Sequence, residues 1–277
     1  MNKTLSIGII GGTGGMGRWF EKFYSAAGHR VLISGRTTDI TYTDVAKECD
    51  VVILSVPLDA AVSISKDIGP LLSDDQLFMD MCSLKEEIVK SMTENTKADV
   101  LGTHPLFGPF TDSIKGQNII LCPGRGERWL KWIGNEYASR GAILCVMGPL
   151  THDRHMAVVQ GLTHFTTICM ARTLQKMDMN SDNVLSCSTP VFKINYNLIG
   201  RLFAQDLDLY KNLISKNKHF KEVLEVFISA MDESNDALLS GQDERAILFM
   251  ETIREFFKDT CKDALKESNK IINTLYS

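Results

Sequence analysis

Three features are scarce in this sequence of 277 residues: surplus basic charge, paired cysteines and long apolar runs. The formal net charge is -4, so the chain has no positive excess with which to neutralise the phosphates of a nucleic acid. No apolar stretch has the length needed to cross a membrane, and we expect the apolar run near the N-terminus to be too short for a signal peptide. These absences favour a cytoplasmic protein that acts on small molecules and binds neither nucleic acid nor membrane.

The seven cysteines are scattered along the chain, and no two of them have the Cys-x-x-Cys spacing. An odd number without that spacing argues against a disulfide framework and against a zinc site, and it favours free thiols in a reducing compartment. His152 and His155 lie three residues apart, but we see no carboxylate pattern with them, so we assign no metal site.

Short runs of valine, isoleucine and leucine alternate with amphipathic stretches through the first half of the chain. The runs are Leu5–Ile10, Arg30–Ser34, Val51–Val56, Leu77–Met81, Val100–Gly102, Asn118–Cys122 and Ile143–Val146. Continuous apolar runs separated by helical segments are typical of strands buried on both faces. We therefore predict an α/β chain whose residues 1–150 form a doubly wound, mostly parallel sheet, the Rossmann arrangement that binds dinucleotides.

The pattern changes after about Thr151, where strand-like runs give way to apolar residues at helical spacing, as between residues 220 and 231. We predict that residues 151–277 form an all-helical domain. Thr189 and Pro190 supply an N-cap and a proline at the first helical position, which predicts a helix from Val191 to about Ala204. A domain of this size buries only a modest core alone, so we expect it to bind substrate and to form a homodimer.

A glycine-rich turn follows the first apolar run and precedes a helical segment. It comprises Gly12, Thr13, Gly14, Gly15, Met16 and Gly17. We expect Gly12 to form the tight turn, Gly14 to let a pyrophosphate approach the backbone, and Gly17 to let the helix pack closely on the strand. This order of strand, turn and helix predicts a dinucleotide site, the alternative being a purely structural turn.

The end of the second strand distinguishes the two nicotinamide cofactors, because an acidic residue there binds the ribose hydroxyls of NAD. This chain has Arg36 and Thr37 instead, and a guanidinium beside a hydroxyl suits a 2′-phosphate. We therefore prefer NADP over NAD, the alternatives being that Arg36 is solvated or stacks on adenine.

The third apolar run ends in Ser55, Val56 and Pro57, where a doubly wound sheet places residues against the cofactor. An ordinary exit from a strand gives the same pattern.

His104 follows an apolar run and precedes Pro105, which limits the backbone freedom around it. A histidine near its ordinary pKa accepts a proton at neutral pH, so this placement favours a fixed general base. The alternative is a histidine that satisfies nearby backbone groups.

Six collinear stretches make a more specific pattern: Gly11–Gly17, Asp80–Lys85, His104–Pro109, Thr151–Asp153, Gln160–Phe165 and Gly200–Asp206. In these stretches the chain resembles the prephenate and arogenate dehydrogenases of tyrosine biosynthesis. It is most similar to the dehydrogenase part of the bifunctional chorismate mutase–prephenate dehydrogenases. The resemblance implies an oxidative decarboxylation in which hydride passes from the ring carbon bearing the hydroxyl to nicotinamide.

The resemblance also implies roles for five residues. His104 would take or polarise the hydroxyl proton, and Ser83 would hydrogen-bond near His104 and the nicotinamide. Arg201 would hold a substrate carboxylate, while Gln160 and His164, four apart, would point from one helix face towards the same substrate. The alternatives are a helix cap for Ser83, a dipole-balancing cation for Arg201 and a buried core histidine for His164.

Two departures from the family's pattern bear on the substrate. Gln160 and Gly161 stand where many members carry a serine–histidine pair, which leaves open how a distal carboxylate is held. Phe110 stands where many carry an acid that meets a substrate amino group, so we favour prephenate over arogenate. We expect a chorismate mutase segment and a regulatory domain to be separate chains, because neither fits within 277 residues.

Two rival hypotheses remain at this stage. A β-hydroxyacid or imine reductase has the same two-domain plan, but it calls for a lysine where this chain offers Arg201 and His104. A redox sensor that binds NADP without turnover would keep the glycine turn and oxidise no prephenate.

Overall fold

The computed structural model describes residues 4–179 and 184–275. Its contacts divide the chain into two units, of which the first ends at Met156 and the second begins at Ala157. The roles that the sequence assigns to residues 1–150 and 151–277, cofactor binding for the first and substrate binding with dimerisation for the second, remain predictions.

The first unit contains a seven-stranded sheet with the strand order β2-β1-β3-β4-β5-β6-β7. The strands are β1 (Ser6–Ile10), β2 (Arg30–Ser34), β3 (Val51–Leu54), β4 (Leu77–Asp80), β5 (Asp99–Pro105), β6 (Asn118–Arg125) and β7 (Ile143–Val146). Neighbouring strands are parallel except for β5 and β6, which pair antiparallel. The predicted α/β class with a mostly parallel sheet is confirmed.

Helices connect the strands and cover both faces of the sheet. They are α1 (Gly15–Ala26), α2 (Tyr42–Glu48), α3 (Leu58–Ile68), α4 (Glu86–Asn95), α5 (Arg128–Ala138) and α6 (Pro149–Met156). Strand β3 shows why the runs are continuously apolar: Val52 and Leu54 belong to one core cluster, whereas Val51 and Ile53 belong to another. Because successive side chains point to opposite faces, both faces of this strand are buried.

In its described residues the second unit consists of helices joined by short loops, without a strand. A π-helical turn (Ala157–Leu162) precedes α7 (Thr163–Lys176), α8 (Pro190–Phe203), α9 (Leu207–Ser215), α10 (Phe220–Leu238) and α11 (Asp243–Thr274). Helix α8 begins as predicted, because the hydroxyl of Thr189 accepts a hydrogen bond from the backbone N–H of Phe192 and Pro190 is the first helical residue.

The π-helical turn changes one expectation. Gln160 lies within it, whereas His164 lies in α7. The prediction that these two side chains share one face rests on α-helical spacing, which does not hold through a turn with wider i→i+5 hydrogen bonds. Turns of this kind inside α-helices are frequent at functional sites.

Among the helices of residues 4–179 and 184–275, none combines the length and the apolarity that a membrane crossing requires.

Candidate active site

The glycine turn joins β1 to α1, and the end of β2 holds its backbone. The N–H of Gly11 donates to the carbonyl of Ser34 at 2.7 Å, and Gly11 has a φ of +86°. L side chains rarely adopt that conformation, so Gly11 makes the tight turn that the sequence assigned to Gly12. Gly12 is required for a different reason, because a Cβ there would lie 2.6 Å from the side chain of Ile33.

The start of α1 offers an anion site. A Cβ at Gly17 would lie 2.4 Å from the carbonyl oxygen of Gly11, so only glycine lets α1 pack this closely on the turn. Gly14 is the N-cap of α1, and no described side chain caps this helix. The first N–H groups of α1 are therefore left for a ligand, and a diphosphate at a helix N-terminus is what they suit. The residues present fit a dinucleotide.

The other residues predicted to bind the cofactor adjoin this turn. The Cβ position of Gly35 lies 2.6 Å from the hydroxyl of Thr13, which brings the end of β2 against the turn. Arg36 and Thr37 follow at once and are exposed. Within the described part of the chain, Arg36 makes no hydrogen bond or ion pair, so its guanidinium is available for a phosphate.

The loop after β3 reaches the turn from the other side. The N–H of Ser55 donates to the carbonyl of Ile10 at 2.8 Å, and the carbonyl of Ser55 lies 2.3 Å from the Cβ position of Gly11. Val56 follows, and Pro57 is the N-cap of α3. The structure therefore places Ser55 beside the glycine turn, as the topology of a doubly wound sheet predicts.

The loop that leaves β5 packs on α1. The indole N–H of Trp19 donates to the carbonyl of Thr111 at 2.6 Å, and the rings of Trp19 and Phe107 lie 5.0 Å apart. Pro109 approaches the Cβ position of Gly15 to 3.1 Å. The segment that follows His104 is thus fixed against the helix that begins at the glycine turn.

His104 lies inside β5, opposite Ile120 of β6, rather than beyond the end of the strand. Its side chain is buried, with the residue 3% exposed. The Nδ1 atom of His104 is 2.8 Å from Nε2 of His152, whose Nδ1 is 2.7 Å from a carboxylate oxygen of Asp153. Three side chains of the first unit therefore form one chain of hydrogen bonds.

The pKa shifts of these groups have separate causes. Burial lowers the pKa of His104 well below its ordinary value, and the charges of His152 and Lys85 act in the same direction. Burial also lowers the pKa of His152, although the hydrogen bond to Asp153 opposes this effect. Burial raises the pKa of Asp153, but the hydrogen bonds from His152 and from the backbone of α4 outweigh it, and the net pKa is lowered. His104 is therefore neutral and Asp153 ionised at neutral pH.

A fully buried ion pair supports this strand. The ammonium of Lys85 pairs with the carboxylate of Asp80 and donates to the carbonyl of Thr103 at 2.8 Å. The hydroxyl of Thr103 donates in turn to the carbonyl of Asp80 at 2.6 Å. These contacts join Asp80, at the end of β4, to Thr103, the residue before His104. Separating them would leave an uncompensated charge in the core, which is strongly destabilising.

Ser83 is half-buried and makes no hydrogen bond with another described residue, including His104. The alternative that it caps α4 does not describe the structure either. Helix α4 is capped by Asp153, whose carboxylate accepts from the N–H groups of Lys85 at 2.8 Å and Glu86 at 3.0 Å. The role of Ser83 towards a bound ligand remains a proposal.

In the second unit, Tyr210 interacts with two of the residues predicted to bind substrate. The rings of His164 and Tyr210 meet edge to face at 4.8 Å. Burial raises the pKa of Tyr210, and the charge of Arg201 opposes that shift. Arg201 itself is exposed in the last turn of α8.

Gly161, which follows Gln160, packs closely against the second unit's Phe220. A Cβ at Gly161 would lie 2.6 Å from the ring of Phe220, the first residue of α10. A larger side chain at 161 therefore requires Phe220 to move, so Gly161 and Phe220 form one packing unit. The neighbouring Gln160 is half-buried.

Sequence reasoning missed His152, Asp153 and Tyr210. For the first two a signal was present, because Asp153 directly follows a histidine in one of the six matching stretches. For Tyr210 the only signal was its position, four residues after the end of the matching stretch Gly200–Asp206. Its ring contact with His164 arises only when α7 and α9 pack together.

A mostly parallel sheet with an uncapped helix at a glycine turn, and a buried neutral histidine in the same unit, are the features of a nicotinamide-dependent oxidoreductase of the Rossmann class. The comparisons with known proteins narrow this class. Residues 21–146 match the family described as "Prephenate dehydrogenase, nucleotide-binding domain", and residues 148–255 match "Prephenate dehydrogenase, dimerization domain". The chain belongs to the prephenate dehydrogenase family, as the resemblance in its motifs predicted.

Named relatives agree with this membership. The chain is 31% identical to a "Probable arogenate/prephenate dehydrogenase" of Methanocaldococcus jannaschii over all of its own length and 66% of that protein. It is 30% identical to the T-protein of Haemophilus influenzae over 95% of its own length and 70% of that protein. The chain thus spans about two thirds of the length of these relatives.

Solved structures share the fold. A prephenate dehydrogenase from Aquifex aeolicus, in complex with hydroxyphenyl propionate and NAD+, superposes with a TM-score of 0.75 at 20% identity, covering 94% of this chain and 99% of that one. A Synechocystis arogenate dehydrogenase superposes with a TM-score of 0.71 at 16% identity, covering 91% of this chain and 99% of that one.

Proposed function

We propose that this protein oxidises prephenate to 4-hydroxyphenylpyruvate and CO2 and passes the hydride to a nicotinamide cofactor, with NADP preferred. The observation that carries the proposal is the buried His104, neutral and held by a hydrogen bond 2.8 Å long, in the unit that contains the glycine turn. A neutral imidazole is the form that accepts a proton. Bound at the glycine turn, the cofactor supplies the hydride acceptor.

The chain's own residues carry the proton. His104 takes the proton of the ring hydroxyl as hydride leaves the carbon that bears it. The bond between the ring and its carboxylate then breaks, CO2 departs and the ring becomes aromatic, and the phenol oxygen takes the proton back. His104 ends neutral, so one base serves each turnover without a net change.

Ser83 and three residues of the second unit are proposed to bind the substrate. Ser83 has a hydroxyl without a partner among the described residues, which suits a hydrogen bond to the substrate hydroxyl. Arg201 holds a substrate carboxylate through its fork of donors, a geometry that lysine does not reproduce. His164 and Gln160 are proposed to contact the substrate as well.

Prephenate is the substrate that the charges favour. Phe110, in the loop after β5, is 76% exposed and offers no negative charge to an ammonium group. Arogenate carries that ammonium on its side chain, whereas prephenate carries a keto group. A site without an acid at this position gives arogenate no compensating contact.

The test is a four-way assay in which prephenate or arogenate is combined with NAD or NADP and reduced nicotinamide is followed by absorbance. We expect the largest kcat/KM for prephenate with NADP. A larger value for arogenate would overturn the proposed substrate, and no reduction in any of the four reactions would overturn the proposed activity.

Arg36 is proposed to bind the 2′-phosphate of NADP. Replacement by alanine (Arg36→Ala) removes a charge-assisted contact of about 1.5–3 kcal/mol, so KM for NADP should rise about 10- to 100-fold. KM for NAD should change little, because NAD lacks the phosphate. Initial-rate measurements with each cofactor at saturating prephenate give both values.

The matched control is Arg30→Ala, at the opposite end of β2, where the guanidinium pairs with Glu48 at 3.5 Å. This change also removes a surface arginine, and it should leave the ratio of the two KM values unchanged. If KM rose equally for NAD and NADP in Arg36→Ala, Arg36 would not bind the 2′-phosphate.

The protein is proposed to act as a homodimer in the cytoplasm. Helix α11 extends over 32 residues without one that is buried, and it exposes Phe256 (82%) and Leu248 (63%). Apolar surface of this extent marks an interface, and the match to a dimerization domain supports a second copy as the partner. Light scattering should give twice the chain mass of 30.9 kDa, and a monomer at micromolar concentration would contradict the proposal.

A further inference from the structure

His152 and Asp153 lie behind His104 in the first unit, on helix α6. His152 is fully buried and Asp153 is 5% exposed. The order of atoms is fixed by two distances: His104 Nδ1 to His152 Nε2 is 2.8 Å, and His152 Nδ1 to Asp153 Oδ1 is 2.7 Å. Each contact needs one proton, and the positions of the two protons can be worked out from Asp153.

Asp153 accepts hydrogen bonds from backbone donors at both of its carboxylate oxygens. The backbone N–H groups of Lys85 and Glu86 donate to its two oxygens at 2.8 and 3.0 Å, and these bonds help to lower its pKa. An ionised carboxylate has no proton to give. The proton between Asp153 and His152 is therefore on Nδ1 of His152.

This proton determines the next one. A neutral imidazole with its proton on Nδ1 has a lone pair on Nε2, so His152 accepts a hydrogen bond there. The donor is Nδ1–H of His104. His104 then carries its own lone pair on Nε2, the nitrogen on the side of the ring away from His152.

We propose that Asp153 and His152 are positioning residues that hold His104 in the tautomer with its proton on Nδ1, so that Nε2 is the atom that takes the proton of the substrate. This inference rests on the proposed function of His104 as the base. It goes further by naming the base's reacting atom and the residues that select it.

The surrounding charges support the same assignment. When His104 takes a proton, the charge of Lys85 opposes its positive charge, and Asp80 already pairs with the ammonium of Lys85. On β6, burial raises the pKa of Cys122 to about 12, so its thiol is uncharged. Asp153 is the anion that remains, and His152 conveys its effect to His104 through two hydrogen bonds.

Two substitutions of His152 separate positioning from packing. In His152→Gln the amide oxygen can accept from Nδ1–H of His104 while the amide N–H donates to Asp153, so the tautomer of His104 is kept. In His152→Phe the ring fills the same space, but both polar atoms are lost. We expect kcat with prephenate to fall about 100-fold or more for His152→Phe and less than about tenfold for His152→Gln, with KM for the cofactor unchanged.

A purely structural role predicts the reverse order, because phenylalanine preserves a buried ring and glutamine does not. Equal activities, or a more active His152→Phe, would overturn the proposal. His155→Gln on the same helix, at an exposed histidine, is the matched control and should behave as the wild type.

A second measurement does not depend on turnover. The chain has six histidines, and ¹H–¹⁵N spectra of ring-labelled wild-type protein report which nitrogen of each ring carries a proton. The signals of His104 and His152 are identified by their loss in His104→Asn and His152→Gln. We expect both rings to be neutral with the proton on Nδ1.

The two measurements distinguish the possible failures. A proton on Nε2 of His104 in the wild type would overturn the proposed tautomer even if prephenate were oxidised. The expected spectrum in a protein that fails to oxidise prephenate would leave the tautomer standing and overturn the proposed function instead.

Discussion

Replacement of His104 by asparagine is expected to lower kcat for prephenate oxidation by about two to four decades, the usual effect of losing a general base. The reason is local: His104 is buried in β5, neutral at neutral pH, and joined by hydrogen bonds to His152 and Asp153. Asparagine fits the space and can still donate to His152, but it has no basic nitrogen. Steady-state kinetics with prephenate and NADP give the value.

Cofactor binding should survive this change, because the glycine turn is held by Ser34 at the end of β2 and by Ser55 in the loop after β3. The dissociation constant of NADP, measured by fluorescence quenching, should stay within about twofold of the wild-type value. His155→Asn serves as the control for a histidine on the surface of α6. Turnover close to that of the wild type in His104→Asn would mean that another group is the base.

The pH dependence of kcat/KM follows from the pKa of His104. The base acts when it is unprotonated, and burial together with His152 and Lys85 lowers its pKa well below the ordinary value. The wild-type enzyme should therefore keep its activity as the pH falls through the usual titration range of histidine. Activity should decline only at lower pH, where His104 becomes protonated, and this decline should disappear from the residual activity of His104→Asn.

Replacement of Arg201 by alanine is expected to raise KM for prephenate about 10- to 100-fold with a smaller effect on kcat. A charge-assisted hydrogen bond to a carboxylate contributes about 1.5–3 kcal/mol, and each 1.4 kcal/mol changes affinity about tenfold. The structure supports a ligand role because Arg201 is exposed in the second unit, where its charge acts on Tyr210, the residue whose ring contacts His164. Arg201→Lys should recover only part of the affinity, since lysine lacks the planar fork.

Arg172→Ala is the control for this prediction. Arg172 is an exposed arginine on α7 that donates to Gln175 at 2.6 Å and has no proposed role in substrate binding. Its loss should leave KM for prephenate unchanged. An unchanged KM in Arg201→Ala would remove Arg201 from the substrate site and would favour the alternative that it balances the dipole of its own helix.

The sequence predicted the strands well because of how they are buried. In β3, for example, both faces of the strand meet a core cluster, so its apolar run is continuous and visible. The direction of β6 was not predictable in the same way. Parallel and antiparallel pairing change the hydrogen bonds between strands while requiring similar apolar side chains, and no run of residues records the difference.

The glycine turn shows both the strength and the limit of a motif. Its pattern of glycines predicted a strand, a turn and a helix, and these elements are present. The pattern did not show that the positive φ belongs to Gly11, because the assignment of a turn residue depends on how β2 holds the backbone through Ser34.

Local sequence patterns could not predict the hydrogen-bond partners of His104. His152 lies 48 residues further along the chain, and the contact between them forms only when α6 packs beside β5. The same applies to Lys85, which was singled out from the sequence only as the last residue of the stretch Asp80–Lys85. It is fully buried, and its ammonium reaches the carbonyl of Thr103 on the neighbouring strand.

The central claim is that hydride transfer and loss of CO2 are one coupled reaction of prephenate. Prephenate labelled in the carboxylate on its ring allows labelled CO2, reduced nicotinamide and 4-hydroxyphenylpyruvate to be counted in the same sample. We predict that the three products appear in equal amounts and that none forms when cofactor is omitted. Release of CO2 without an equal amount of reduced nicotinamide, or reduction of cofactor without release of CO2, would contradict the account.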